Sequence, residues 1–266
     1  MTPSWPEIAQ EALKVPGLLV EIYGDLAKPG VRQAGKALES IIGLGNTILW
    51  PIAWANERSR IYLERNLELY RQRLSEIPEE KIVAVAPEIG VPIAEKLSYV
   101  ADARLSELYV TLLAKASASD TVSVAHPSFV NVINNLSPDE AQLLEYFSKS
   151  SDGLPFVTAN RVDTKTGEYG VSGDLLVTDG IRKDLHFPDN VPAYLSNFEG
   201  LGLIQVFRDR RIADTPAYDE LISHWTPLFP VDVEAEAQTP PRELKFDKGA
   251  ITLSLFGKLF ISACRD

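Results

Sequence analysis

The sequence predicts a mostly helical α+β protein, with a helical N-terminal bundle followed by a winged-helix-like C-terminal module. Three observations carry this reading. From residue 57 to residue 147, short apolar-periodic runs are separated by clear helix starts and stops. From residue 190 onward the chain passes through a short helix, an alternating strand, a second strand and a closing helix. Ser40–Asn56, 17 residues without a charge, is a segment that has to be shielded from water somewhere. The expected divisions are a helical leader over 1–30, a helical domain over 31–136 that contains the apolar segment 40–56, and a module over 137–266 with inserts at 151–189 and 209–243.

In the leader, Pro6 suits a first helical turn after Ser4. Ile8, Ala12, Val15, Leu19, Ile22 and Leu26 recur at helical spacing, broken or kinked at Pro16-Gly17. Lys28-Pro29-Gly30 is a stop. A single helix over Ser40–Asn56 would be roughly 26 Å long, short of the roughly 20 residues that a membrane crossing takes. Ile41, Leu44, Ile48 and Ile52 fall on one face, Ile42 and Leu49 on another, and Trp50 and Trp54 suit either a core or a bilayer interface. The segment therefore reads as a buried helix or hairpin of the bundle, as a stretch that enters a membrane on activation, or as a partner-binding face. Asn56–Ile77 is charged and free of Gly and Pro, and Leu63, Leu67, Tyr70, Leu74 and Ile77 form a 4-3-4-3 stripe: an amphipathic helix with solvated Arg and Glu on its other side.

Pro78 closes that helix, and Glu79-Glu80 fit the first turn of the next. A helix is expected from Ala86-Pro87-Glu88, with Val91-Pro92 near its start and Ile89, Ile93 and Leu97 inward. Asp102 is an N-cap for a helix that turns Leu105, Leu108, Leu112 and Leu113 inward, with Tyr109 flanking. Pro127 starts a further helix with Phe129, Val132 and Ile133 inward. Ser137-Pro138-Asp139-Glu140 has the form of a capping box, followed by the apolar face Ala141, Leu143, Leu144 and Phe147.

The PEEK turn at Pro78–Lys81, the EIGVPI segment from Glu88, the LLAKAS run from Leu112, HPSF at His126–Phe129 and LSPDEA from Leu136 together resemble the abortive infection alpha family of bacteria. The upstream stretch from Lys28 and the ending ITLSLFGKLFISAC resemble it too. The resemblance implies phage defence and brings no catalytic residues with it.

In the C-terminal module, Asn190-Val191-Pro192 opens a short helix and LGLIQVFR alternates like a strand. ELKFDKGAITLS is expected to turn back on itself at Asp247-Lys248-Gly249, giving a two-stranded wing, and LFGKLFISAC closes as a helix. A winged helix invites a DNA reading, but residues 137–266 carry 13 Lys and Arg against 21 Asp and Glu. The groove-reading helix would have Glu199 and no Lys or Arg between Pro192 and Gly202. Arg208, Arg210 and Arg211, next to the wing, are the candidate nucleic-acid contacts in that alternative.

The net charge of −11 argues against nucleic acid in general. One cysteine, Cys264, allows no internal disulfide and no thiolate metal site, and His126, His186 and His224 lack ligand spacing. Phosphate-binding loops, the nucleophile-elbow motif, the zinc-protease motif and CxxC pairs are absent from the sequence. Ser128 beside His126 is adjacency in sequence only, and both acidic pairs, Glu79-Glu80 and Asp139-Glu140, are explained by helix N-termini. The N-terminus does not read as a secretory signal. The expectation is a cytoplasmic, non-enzymatic defence protein without a cofactor, working through a protein partner or self-association. A membrane-acting effector using 40–56 and a winged-helix DNA regulator are the alternatives.

Overall fold

A computed structural model describes residues 33, 35–38, 57–149, 153–213, 215–230 and 242–265. The expectations on residues 1–32, and those on segment 40–56 with Ile41, Ile42, Leu44, Ile48, Leu49, Trp50, Ile52 and Trp54, lie outside the described residues. The fold is mixed α/β and mostly helical, with one four-stranded antiparallel sheet. It divides into two compact units: Met1–Pro138 with Leu259–Asp266, and Asp139–Lys258.

The first unit is built on apolar stripes. Helix α1 (Glu57–Ser75) buries Leu63, Leu67, Tyr70 and Leu74. Ile77, the last member of the predicted stripe, falls beyond the helix end and is half-buried. Helix α2 (Pro87–Leu97) starts at its proline and buries Ile89, Ile93 and Leu97. Helix α3 (Ala103–Ala116) buries residues on nearly every side, as a central helix must. Its N-cap is Asp102, whose carboxylate accepts from the Arg104 and Leu105 amides at 2.9 and 3.1 Å. Leu108, Leu112 and Leu113 are buried as expected, Leu105 is half-buried, and Tyr109 is in the core rather than at its flank. Helix α4 (Ser128–Asn134) buries Phe129, Val132 and Ile133.

Side chains close the helix ends here. Asn66 donates to the Leu97 carbonyl at 2.8 Å, and Arg65 reaches the Val100 carbonyl, so α1 serves the exposed end of α2. Lys115 donates to the Ser262 and Arg265 carbonyls at 2.6 and 2.7 Å, and Phe129 meets Phe260 edge-on, which ties in the C-terminal residues.

The second unit contains helix α5 (Pro138–Lys149, from Asp139 on), β1 (Leu154–Asp163), β2 (Tyr169–Leu176), α6 (Asp179–Arg182), α7 (Val191–Gly200), β3 (Ile204–Phe207), α8 (Thr215–Trp225) and β4 (Arg242–Leu253); α9 (Leu255–Cys264) follows β4. The sheet order is β2-β1-β4-β3.

One expectation is corrected. Asp247-Lys248-Gly249 is not a turn: β4 runs through it, with Asp247, Lys248 and Gly249 opposite Thr158, Val157 and Phe156. Gly249 is there for space, because a Cβ at that position would run into the Phe156 ring and the Phe207 carbonyl. The stretch 151–189 supplies two strands of the sheet, β1 and β2. The true hairpin turn lies at Asp163–Gly167. There Asp163 accepts from the Lys165 and Thr166 amides at 2.7 and 3.0 Å, and Gly167 takes φ +74°.

One face of the sheet is covered. Val157, Ala159 and Leu176 pack on Tyr218 and Leu221 of α8, with Trp225, Phe229 and Phe246 around them. On α5, Ala141, Leu143, Leu144 and Phe147 are buried as the sequence predicts, and Phe147 meets Phe198 of α7 edge-on.

Candidate functional site

Strand alternation puts Phe156, Thr158 and Asn160 on the face of β1 opposite Val157 and Ala159. This second face is open at its outer end. Thr158, Asn160, Tyr169, Val171, Asp174 and Asp247 line a groove of about 630 Å³ there, and the loop Arg208–Arg211 after β3 forms its wall. The floor is a polar lattice. Thr158 donates to Asp174 at 2.6 Å, Arg208 donates to the other Asp174 oxygen at 2.7 Å, and the Asn160 amide nitrogen donates to Asp247 at 2.7 Å. Partial burial opposes ionisation of Asp174. The bonds from Thr158, Arg208 and the Leu175 amide outweigh it and hold the carboxyl below its ordinary value.

Of the residues singled out in the sequence, Arg208, Arg210 and Arg211 come together on this wall, each differently engaged. Arg208 is committed to Asp174. Arg210 lies over the Phe207 ring, 4.9 Å from its centroid. Arg211 lines the groove and is exposed. Sequence reasoning missed Asn160, Asp174 and Asp247, because the pairing of β1 with both β2 and β4 assembles them.

A second polar node lies at the start of α5. Asp139 is 3% exposed and accepts four hydrogen bonds, from the His186 amide and ring Nδ1, the Phe187 amide and the Tyr194 hydroxyl. Glu140, also buried, accepts from Asn197 at 2.7 Å. Glu79 and Glu80 begin a single 3-10 turn, Glu79–Lys81, and are exposed. The buried pair Asp139 and Glu140 instead holds the 186–197 segment to α5.

In the first unit, Pro78 and Lys81 of the PEEK turn and Thr111, Ala114 and Lys115 line a pocket of about 390 Å³. Its cations are occupied: Lys81 by Asp120, Arg73 by Glu107, and Lys115 by two carbonyls. His126 accepts from the Ser128 amide through Nδ1, so it serves a helix N-terminus as expected. Cys264 is buried, and burial pushes its thiol up, away from a reactive thiolate. Among the described residues, no group of three or more His, Cys, Asp or Glu is placed to hold a metal ion. No helix among them is long and apolar enough to cross a membrane.

Fold and groove define a two-unit protein: a capped helical unit, and an α/β unit whose sheet has one covered face and one face open at its outer end. The model of the abortive infection alpha family matches residues 62–264, most of the chain, and the protein belongs to that family. No curated protein and no solved structure matches it.

Proposed function

We propose that this is a bacterial anti-phage defence protein of the abortive-infection type, acting in the cytoplasm without catalysis, through contacts with a partner protein or with further copies of itself. The observation that carries the defence reading is the family match over residues 62–264.

The second unit is proposed to be an elaborated winged helix, with α5 as its first helix, α6 and α7 between the strands, and the β1–β2 hairpin as an enlarged first strand. The central order β1-β4-β3 supports this. Protein contact is favoured over DNA reading by the chemistry of α7. Its exposed residues are Ala193, Ser196, Glu199 and Gly200, which offer no cation to a phosphate backbone. Apolar side chains do reach solvent in this unit, notably Phe187 at 65% and Leu255 at 86% exposure.

The test is expression in a bacterial host challenged with a broad phage panel. The expected result is fewer plaques for some phages, with cultures surviving infection at low but not at high phage-to-cell ratio. Unchanged plaque counts across the panel would remove the defence reading. Size-exclusion chromatography and crosslinking in infected cells test the contact: a species larger than the monomer is expected.

A further inference from the structure

We propose that the open-face groove of the second unit binds a purine nucleoside monophosphate, its phosphate on Arg210 and Arg211, its base against Tyr169, and the amino edge of the base on Asn160 and Asp247. The inference is independent of the defence reading.

Three unmet demands in one groove define this ligand. The first is for an anion. Arg210 and Arg211 have no carboxylate partner among the described residues, unlike Arg208. Arg210 lies over the Phe207 ring at the groove wall, and its guanidinium N–H groups suit a phosphate fork. Asp209 shares the wall, so the uncompensated charge is small and suits one phosphate rather than three.

The second demand is for an N–H donor. Asn160 is 4% exposed and its amide nitrogen is committed to Asp247, while its amide oxygen has no partner. Asp247 can only accept, which fixes that orientation of the amide. A buried acceptor without a donor is costly. Inorganic phosphate at neutral pH is mainly an acceptor and meets this need poorly; an exocyclic amine or ring N–H meets it and gives Asp247 a donor as well.

The third demand is for a flat apolar surface. Tyr169 is 69% exposed and Val171 60% exposed at the same groove, and a planar base covers such a surface. A nucleotide with an amino-bearing base meets all three demands at once, and about 630 Å³ accommodates it.

The experiment is calorimetric titration of the full chain with GMP and AMP, with guanosine and inorganic phosphate as half-ligand controls. Saturable binding of at least one nucleotide is expected, about ten-fold or more tighter than either control. Tyr169→Ala should weaken it about ten-fold, and Arg210→Ala combined with Arg211→Ala should weaken it further. All three side chains are largely exposed, so unchanged melting curves are expected to show that the variants fold. Four results would overturn the proposal: no saturation up to about 1 mM nucleotide, phosphate binding as well as GMP and AMP, binding insensitive to the variants, or single-stranded RNA or a short acidic peptide binding where mononucleotides do not.

Discussion

Among the described residues each unit buries one tyrosine completely, and the two are used differently. Tyr70 of α1 donates to the Ser117 hydroxyl at 2.6 Å, and Ser117 donates in turn to the Leu113 carbonyl, also at 2.6 Å. Tyr218 of α8 accepts from the Ile212 amide at 2.9 Å and donates to the Gly249 carbonyl at 2.8 Å. The first tyrosine joins two side chains at a helix end. The second serves two backbone groups, one in the loop after β3 and one in β4. Helices satisfy most of their own backbone, so polar side chains in the first unit add to a structure that already stands. Loops and strand ends do not, so in the second unit buried polar side chains complete it.

The sharpest test of that difference is Asp139, which serves two backbone amides, a ring nitrogen and a hydroxyl. Asp139→Ala leaves the His186 and Phe187 amides without their acceptor, with an expected loss of about 4 kcal/mol in urea denaturation. The pH dependence has a definite sign. Burial opposes ionisation, but the amides of His186 and Phe187, the His186 ring and Tyr194 outweigh it, so the folded pKa lies below the ordinary value. The stabilisation is therefore fully present above the unfolded value of about 3.9 and is lost as pH falls through the lower folded value. Asp139→Asn should flatten that acid limb, measured as urea midpoints between about pH 2 and pH 5.

Next in size is the pair of tyrosines. Tyr218→Phe takes the partner from the half-buried Ile212 N–H and from the buried Gly249 C=O and should cost about 2 kcal/mol; Tyr70→Phe leaves Ser117 still bonded to Leu113 and should cost about 1 kcal/mol. Denaturation of both variants under one set of conditions gives the ordering. Equal costs would break the comparison.

The same contrast explains what could be read from the sequence. Asp102, Pro87, Pro127 and Pro138 announce helix starts within three or four residues, and the structure starts helices at or next to each. Local signals of this kind need no knowledge of the rest of the chain. The sheet depends on pairing of β1 with β4 across 79 to 97 residues, and Asp247-Lys248-Gly249 has the composition of a turn without being one. Gly249 was misread because its reason is the ring of Phe156, far away in sequence. Of the groove, the arginine wall was legible as a cluster. Its floor was not, because Thr158, Asn160, Asp174 and Asp247 become neighbours only through strand register.

The smallest expected effect lies in the first unit, at the PEEK turn. Lys81 Nζ is 2.5 Å from Asp120, and the bond raises the lysine pKa and lowers that of the aspartate. Both side chains are well exposed, at 44% and 58%, so water and salt screen the pair. Backbone contacts hold the same junction without them: Ser119 donates to the Lys81 carbonyl at 2.8 Å, Val83 donates to Ser117 at 2.9 Å, and Ile82 bridges Ala118. The ion pair is thus a consequence of the junction and not its cause. Lys81→Ala should leave the melting temperature within about 1 °C of the parent protein, at low and at moderate salt. A drop of several degrees would mean that the helical unit, like the sheet unit, needs side chains to hold its connections, and the distinction drawn from the two tyrosines would fail where it should be safest.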